Sequence, residues 1–271
     1  MSTPWLWVAL VLYSLGLVHA TLTVVQQRPR WFRSALLAFG LGFLFHFVSL
    51  VEQGLSLGRF PATTIAGATS LFAFLITAGF LLVYWRYQMT SLSVFTFPIV
   101  FVMTLAAAAS QRPATVVTPL LRETWVFVHV AFTLVGYAAL ILAFLAGVMY
   151  LIQERELKRR QPRAFYYRLP PLETIDELGR KALGIGFPFI TLGISVGVVG
   201  AANEWGEGWL RDPKVALSSV LWVIYLLLIV SRVGAGWRGR RAAVGSIFGV
   251  VVVLASWGAN YMSTHHTFLG H

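Results

Sequence analysis

Two indoles four residues apart stand among charges in GAANEWGEGWLRDPK, residues 200–214. The flat faces of Trp205 and Trp209, with Gly206 and Gly208 leaving the backbone open between them, suit a planar amphiphilic ligand. Arg211 and Lys214 are cationic donors able to pair with carboxylates on such a ligand, and Asp212-Pro213-Lys214 makes a turn beside them. The same two Trp also suit a simpler role as interface anchors, because Trp collects at the headgroup level of a bilayer.

Histidines supply the other chemistry. His129 opens WVFVHVAFTLVGYAAL, with Thr133 and Tyr137 on the same helical face at i+4 and i+8. It is either a ligand or a hydrogen-bonded contact between helices. His265 and His266 precede Thr267-Phe268 near the C-terminus; their alternative is a polar tail, to which His271 belongs. His46 lies within the apolar stretch FLFHFVSL. An ionisable group at that depth is a functional candidate by default, unless a hydroxyl on a neighbouring helix satisfies it. His19 lies nearer the end of the first apolar segment. The 271 residues include no Cys, which excludes a disulfide, a thiolate metal site and a cysteine-attached cofactor. Any metal or haem must be held mainly by His.

The elements that position these residues are apolar. Hydrophobic residues make up 58% of the chain and charged residues 11%, against about a quarter charged in a soluble domain. Runs long enough to span a bilayer recur along the length, which predicts an all-α integral membrane protein: one polytopic domain over 1–271. Eight spans are expected at about 4–25, 32–52, 66–85, 91–109, 125–152, 182–202, 215–231 and 242–262. The first is read as retained, being too long for a signal-peptide core and lacking a preceding Lys or Arg.

Charge then assigns sides. Arg28, Arg30, Arg33, Arg86, Arg155, Lys158, Arg159, Arg160, Arg163, Arg168, Arg180, Lys181, Arg232, Arg238, Arg240 and Arg241 fall on one side, sixteen of the 21 basic residues. Arg59, Arg112, Arg122, Arg211 and Lys214 fall on the other. The positive-inside rule makes the first side cytoplasmic, so both termini, the Trp loop at 200–214, the start of the fifth span and the tail are expected on the outer face. The net charge of +11 reflects this topology and anionic lipid rather than nucleic acid. The basic loop at 153–181 contains LPPLETIDELGRKALG, whose Leu172, Ile175 and Leu178 predict a short amphipathic helix lying at the inner surface. In the sixth span Gly193 and Gly197 form a small-xxx-small face for close helix approach.

At several separate places the chain resembles the cytochrome c assembly proteins that handle haem, of the CcsA, CcmC and CcmF type. The similarity begins with LPPLETIDELGRKALGIGFPFITLGISVGVVGAANEWGEGW and continues through DPK, Trp222, Tyr225 and GWRGRRAA to WGANYMSTHHTF. A second patch is HVAFTLVGYAALILAFLAGVMYL from His129, whereas the first hundred residues match only in their spans. In that family an outward Trp-rich loop, the WWD domain, contacts haem between two flanking histidines that are its axial ligands. The resemblance implies that Trp205, Gly206, Trp209, Asp212, Pro213 and Lys214 occupy the loop motif and that His129 and His266 ligate the haem iron. It also matches His46 to an in-membrane histidine of the family. Arg211 stands where the family usually has Trp, and Val215 where it usually has Glu. With Lys214, Arg211 is expected to orient the haem propionates.

The implied function is to hold haem b, transiently and without a covalent bond, at the outer face of a bacterial plasma (inner) membrane for delivery to apocytochrome c. The resemblance implies an assembly factor rather than an enzyme, at most part of a complex joining haem to cytochrome c. A second subunit of the CcsB or ResB kind is the expected partner. The alternative is a HemX-like scaffold or regulator that keeps the fold without transferring haem. A respiratory b-type subunit would instead need paired in-membrane histidines at both leaflets, for which His19 and His46 are a thin basis.

Overall fold

The computed structural model describes residues 4–26, 30–58, 60–110, 124–159, 169–258 and 263. Among these, every regular element is helical and eight helices are long and apolar enough to cross a membrane. They are α1 (Pro4–Gln26), α2 (Arg30–Leu57), α3 (Ile65–Tyr87), α4 (Ser93–Ala109), α5 (Thr124–Leu157), α6 (Leu172–Trp205), α7 (Pro213–Val233) and α8 (Arg240–Gly258). The protein is thus the all-α integral membrane protein expected from its apolar runs. Helices satisfy every backbone group internally, which hydrocarbon requires.

Two compact units divide the chain, Met1–Val117 and Thr118–His271. In the first, α1 packs on α2 and α4, and α3 packs on α2 and α4. The α3–α4 connection is local chemistry: Gln88 adopts a left-handed conformation (φ 52°) and its N–H closes on the Tyr84 carbonyl. Aromatic rings fill the centre, with Phe39 stacked on Phe97 at 3.6 Å and Phe80 edge-on to Phe97 at 5.0 Å. Outward faces stay apolar, as on α2 at Leu37, Leu44 and Phe47, and suit lipid rather than water.

In the second unit α5 is central, packed along α6 and against α8, while α7 bridges α6 and α8. Trp222 on α7 donates its indole N–H to the Thr191 hydroxyl on α6 at 2.9 Å. At the opposite end of α7, Arg232 reaches Asp176 near the start of α6 at 3.3 Å, and the Gly239 N–H donates to the same carboxylate.

Two expectations change here. The segment from Leu172 is helical, but it is the first part of the 34-residue α6 and not a separate helix lying on the surface. Ile175 and Leu178 are buried within the protein, so its apolar stripe faces other helices rather than lipid. Likewise the Trp loop at 200–214 is not open loop: α6 runs to Trp205 and a 3-10 turn covers Gly206–Arg211.

Candidate functional site

The site is built on the seam between α5 and α6, which run antiparallel. Glycine on α6 lets the backbones approach at each crossing. A Cβ added at Gly193 would stand 2.5 Å from the Thr133 hydroxyl, and one at Gly197 would stand 2.5 Å from His129 Nδ1. One at Gly200 would overlap the Trp125 ring. Trp125, His129 and Thr133, successive turns of α5, therefore lie in slots over Gly200, Gly197 and Gly193. The small-xxx-small face expected in the sixth span exists, and its partner is the His129 face of α5.

His129 is oriented by this seam. Its Nδ1 lies 2.7 Å from the Gly193 carbonyl oxygen. A carbonyl only accepts, so Nδ1 carries the proton and the neutral ring keeps its lone pair on Nε2. Metal-bound histidines typically use such a backbone carbonyl to fix tautomer and ring orientation. His129 is therefore prepared to ligate through Nε2.

The turn after α6 is closed by Asp212. Its backbone is extended, its Oδ1 accepts the Lys214 N–H at 2.8 Å, and Pro213 occupies the first helical position of α7. This is the Asp N-cap followed by Pro that favours helix initiation. Oδ2 accepts a hydrogen bond from the Ser263 hydroxyl at 2.5 Å, and both residues are buried. The Lys214 side chain is half-buried beside this cap. Trp209 is half-buried, and the Arg211 side chain is exposed at the rim of the turn.

The structure thus brings His129, Asp212, Lys214 and Ser263 together in one unit. His265, His266 and the Trp205 side chain lie outside the described residues and side chains. His46 belongs to the first unit, where it is wholly buried. Its Nδ1 is 3.3 Å from the Tyr13 hydroxyl and its Nε2 is 2.9 Å from the Ser70 hydroxyl. Hydroxyls on two neighbouring helices thus satisfy both nitrogens, so ligation by His46 would require one of these bonds to break. His19 bonds its own helix at the Leu15 carbonyl.

Sequence reasoning missed the Trp125 slot, the Gly193 carbonyl and Ser263. A signal for the first was present: Trp125, His129 and Thr133 recur at i+4, and Gly193, Gly197 and Gly200 at i+4 then i+3, so each set lies on one helical face.

Comparison with known proteins matches residues 6–266 to the family model described as Cytochrome C assembly protein. The chain is similar to the cytochrome c biogenesis protein CcsA of Prochlorococcus marinus (strain MIT 9215), at 29% identity over 261 residues, covering 87% of this chain and 84% of that protein. The protein of the same name from Microcystis aeruginosa is 26% identical over 252 residues, covering 75% and 77%. The one from Chlamydomonas reinhardtii is 29% identical over 150 residues, covering 55% of this chain but only 41% of that longer relative.

Proposed function

This integral membrane protein belongs to the cytochrome c assembly protein family, and from that premise we propose that it holds haem b at the outer membrane face for delivery to apocytochrome c. A role in cytochrome c assembly follows from the family; the cargo, the face and the route of delivery are what is proposed. The observation that carries the reading is the His129–Gly193 hydrogen bond, because it leaves Nε2 as the ligating atom of a fixed ring.

His129 and His266 would hold the haem iron. Neutral imidazole is a good iron ligand, and two of them occupy the positions oxygen would otherwise take. Trp205 and Trp209 would cover the macrocycle without bonding to it, which lets it leave. The exposed Arg211 and the half-buried Lys214 would pair with the propionates. With no Cys in the chain, the protein cannot form the thioether itself, so the thiols must come from the acceptor. A bacterial plasma membrane and a separate partner subunit of the CcsB or ResB kind complete the proposal.

The absorption spectrum of the purified protein tests it, followed by incubation with an apo-haem acceptor. A substoichiometric haem b signal that moves to the acceptor is expected. No haem would favour the HemX-like scaffold, and stoichiometric haem that resists extraction would favour a resident electron carrier.

A further inference from the structure

The buried face of α2 changes character halfway along the helix. In its first half the buried side chains are Phe32, Ala35 and Phe39, and the two rings join the aromatic centre of the first unit. From His46 onward the buried side chains are His46, Ser49, Leu50 and Gln53, three of the four polar. Leu44, Phe47, Val51 and Leu55 stay exposed on the opposite side and suit lipid. This half of α2 is therefore an inverted amphipathic helix, polar toward the protein and apolar toward the membrane. Ser70 of α3 is also fully buried and meets His46 Nε2 at 2.9 Å.

Hydrocarbon offers no hydrogen bonds, so a polar group buried in a span is costly unless something bonds it, and it marks a functional path by default. At the His46 end the protein supplies the partners, Tyr13 and Ser70. At the other end it does not. The side-chain amide nitrogen of Gln53 and Oε2 of the adjacent Glu52 are enclosed with no hydrogen-bond partner among the described residues. Gln53 is 8% exposed. Water suits such groups, being both donor and acceptor and small enough to lie between side chains. From Gln53 to His46 is seven residues, about 10 Å of helix, with Ser49 between them.

We propose that the polar half of the first unit's interior is a hydrated inlet: water enters at the Leu57 end of α2, passes Gln53 and Ser49, and reaches the His46 ring. Its ligand is water, and it lets His46 exchange protons with the aqueous phase. The inlet ends at His46 because the stacked rings of Phe39 and Phe97 fill the interior beyond. It lies wholly within the first unit and does not rest on the haem reading.

The chain contains no Cys, so one introduced thiol gives the only S–H stretch in its infrared spectrum. In lipid vesicles moved to heavy water, the rate at which that band gives way to S–D reports whether water reaches the site. Ser49→Cys places the thiol on the path. Val48→Cys is its neighbour on the lipid side, 43% exposed, and Val83→Cys is buried near the aromatic centre. Both are references of similar size away from the inlet.

Ser49→Cys should exchange about tenfold faster than either reference, or more, and adding Gln53→Leu should slow it to their level. In the otherwise unaltered chain, Gln53→Leu should also slow deuteration of the carbon-bound hydrogens of the His46 ring, read by mass spectrometry. Leu is close to Gln in size and leaves no amide unpaired, so this variant should fold at least as well as wild type. Exchange of Ser49→Cys no faster than the references would show a dry interior and overturn the proposal without recourse to Gln53→Leu. Fast exchange that Gln53→Leu leaves unchanged would also overturn it, because the water would then arrive by another route. Deuteration of His46 unaltered by Gln53→Leu would refute the claim that the inlet reaches the ring.

Discussion

Arg211 closes the turn that follows Trp205 and carries Trp209, and its side chain is exposed there. If the turn only anchors at the interface, Trp and Arg are interchangeable there. If it cradles haem, ring coverage has been exchanged for a guanidinium able to fork onto a propionate, a class of bond worth roughly 1.5–3 kcal/mol. Arg211→Ala should then lower haem retention about tenfold, and Arg211→Trp should recover much of the loss by stacking. Equal haem in all three proteins would contradict the cradle. At His46 the expectation is about stability. Tyr13→Phe and Ser70→Ala each remove one of its hydrogen bonds, and each should cost about 1 kcal/mol or somewhat more in thermal unfolding in detergent. Unchanged unfolding of both would mean the two bonds contribute nothing.

Between α5 and α6, glycine sets where the His129 ring sits. Gly197→Ala brings a methyl to 2.5 Å from His129 Nδ1, so the ring must move off the Gly193 carbonyl. Gly184→Ala, on the same helix with nothing within 4 Å, should be neutral or slightly stabilising, since Ala is the better helix former. Haem per protein should fall several-fold in Gly197→Ala and stay unchanged in Gly184→Ala. A parallel response of the two would make the seam irrelevant to His129. The same elements show what the sequence could convey. Apolar runs located all eight helices because span length is set by the bilayer, whereas Asp212-Pro213, read only as a turn, is the cap and first residue of α7. The charges after Leu172 suggested a surface helix, yet nothing there breaks the helix. At about 1.5 Å per residue, the 34 residues of α6 simply outrun the roughly 30 Å hydrocarbon layer. The partners of Gly197 and Asp212 were not legible, because pairing across 68 or 51 positions depends on how helices dock rather than on any local pattern.

For the molecule as a whole, the uneven distribution of basic residues predicts both termini on the outer face. A reporter fused after His271 should be active only outside the cytoplasm, and cytoplasmic activity would remove the Trp turn and the tail from the face where apocytochrome c is expected. The central claim is narrower, the proposal that His129 and His266 together would hold one haem iron. Its most direct measurement is haem per protein, with the accompanying spectrum, for wild type, His129→Ala, His266→Ala and His265→Ala purified side by side from membranes with equal insertion. His129→Ala and His266→Ala should each lose most of the haem, and His265→Ala should stay close to wild type. Full haem in His129→Ala would contradict the account, whatever the other variants show.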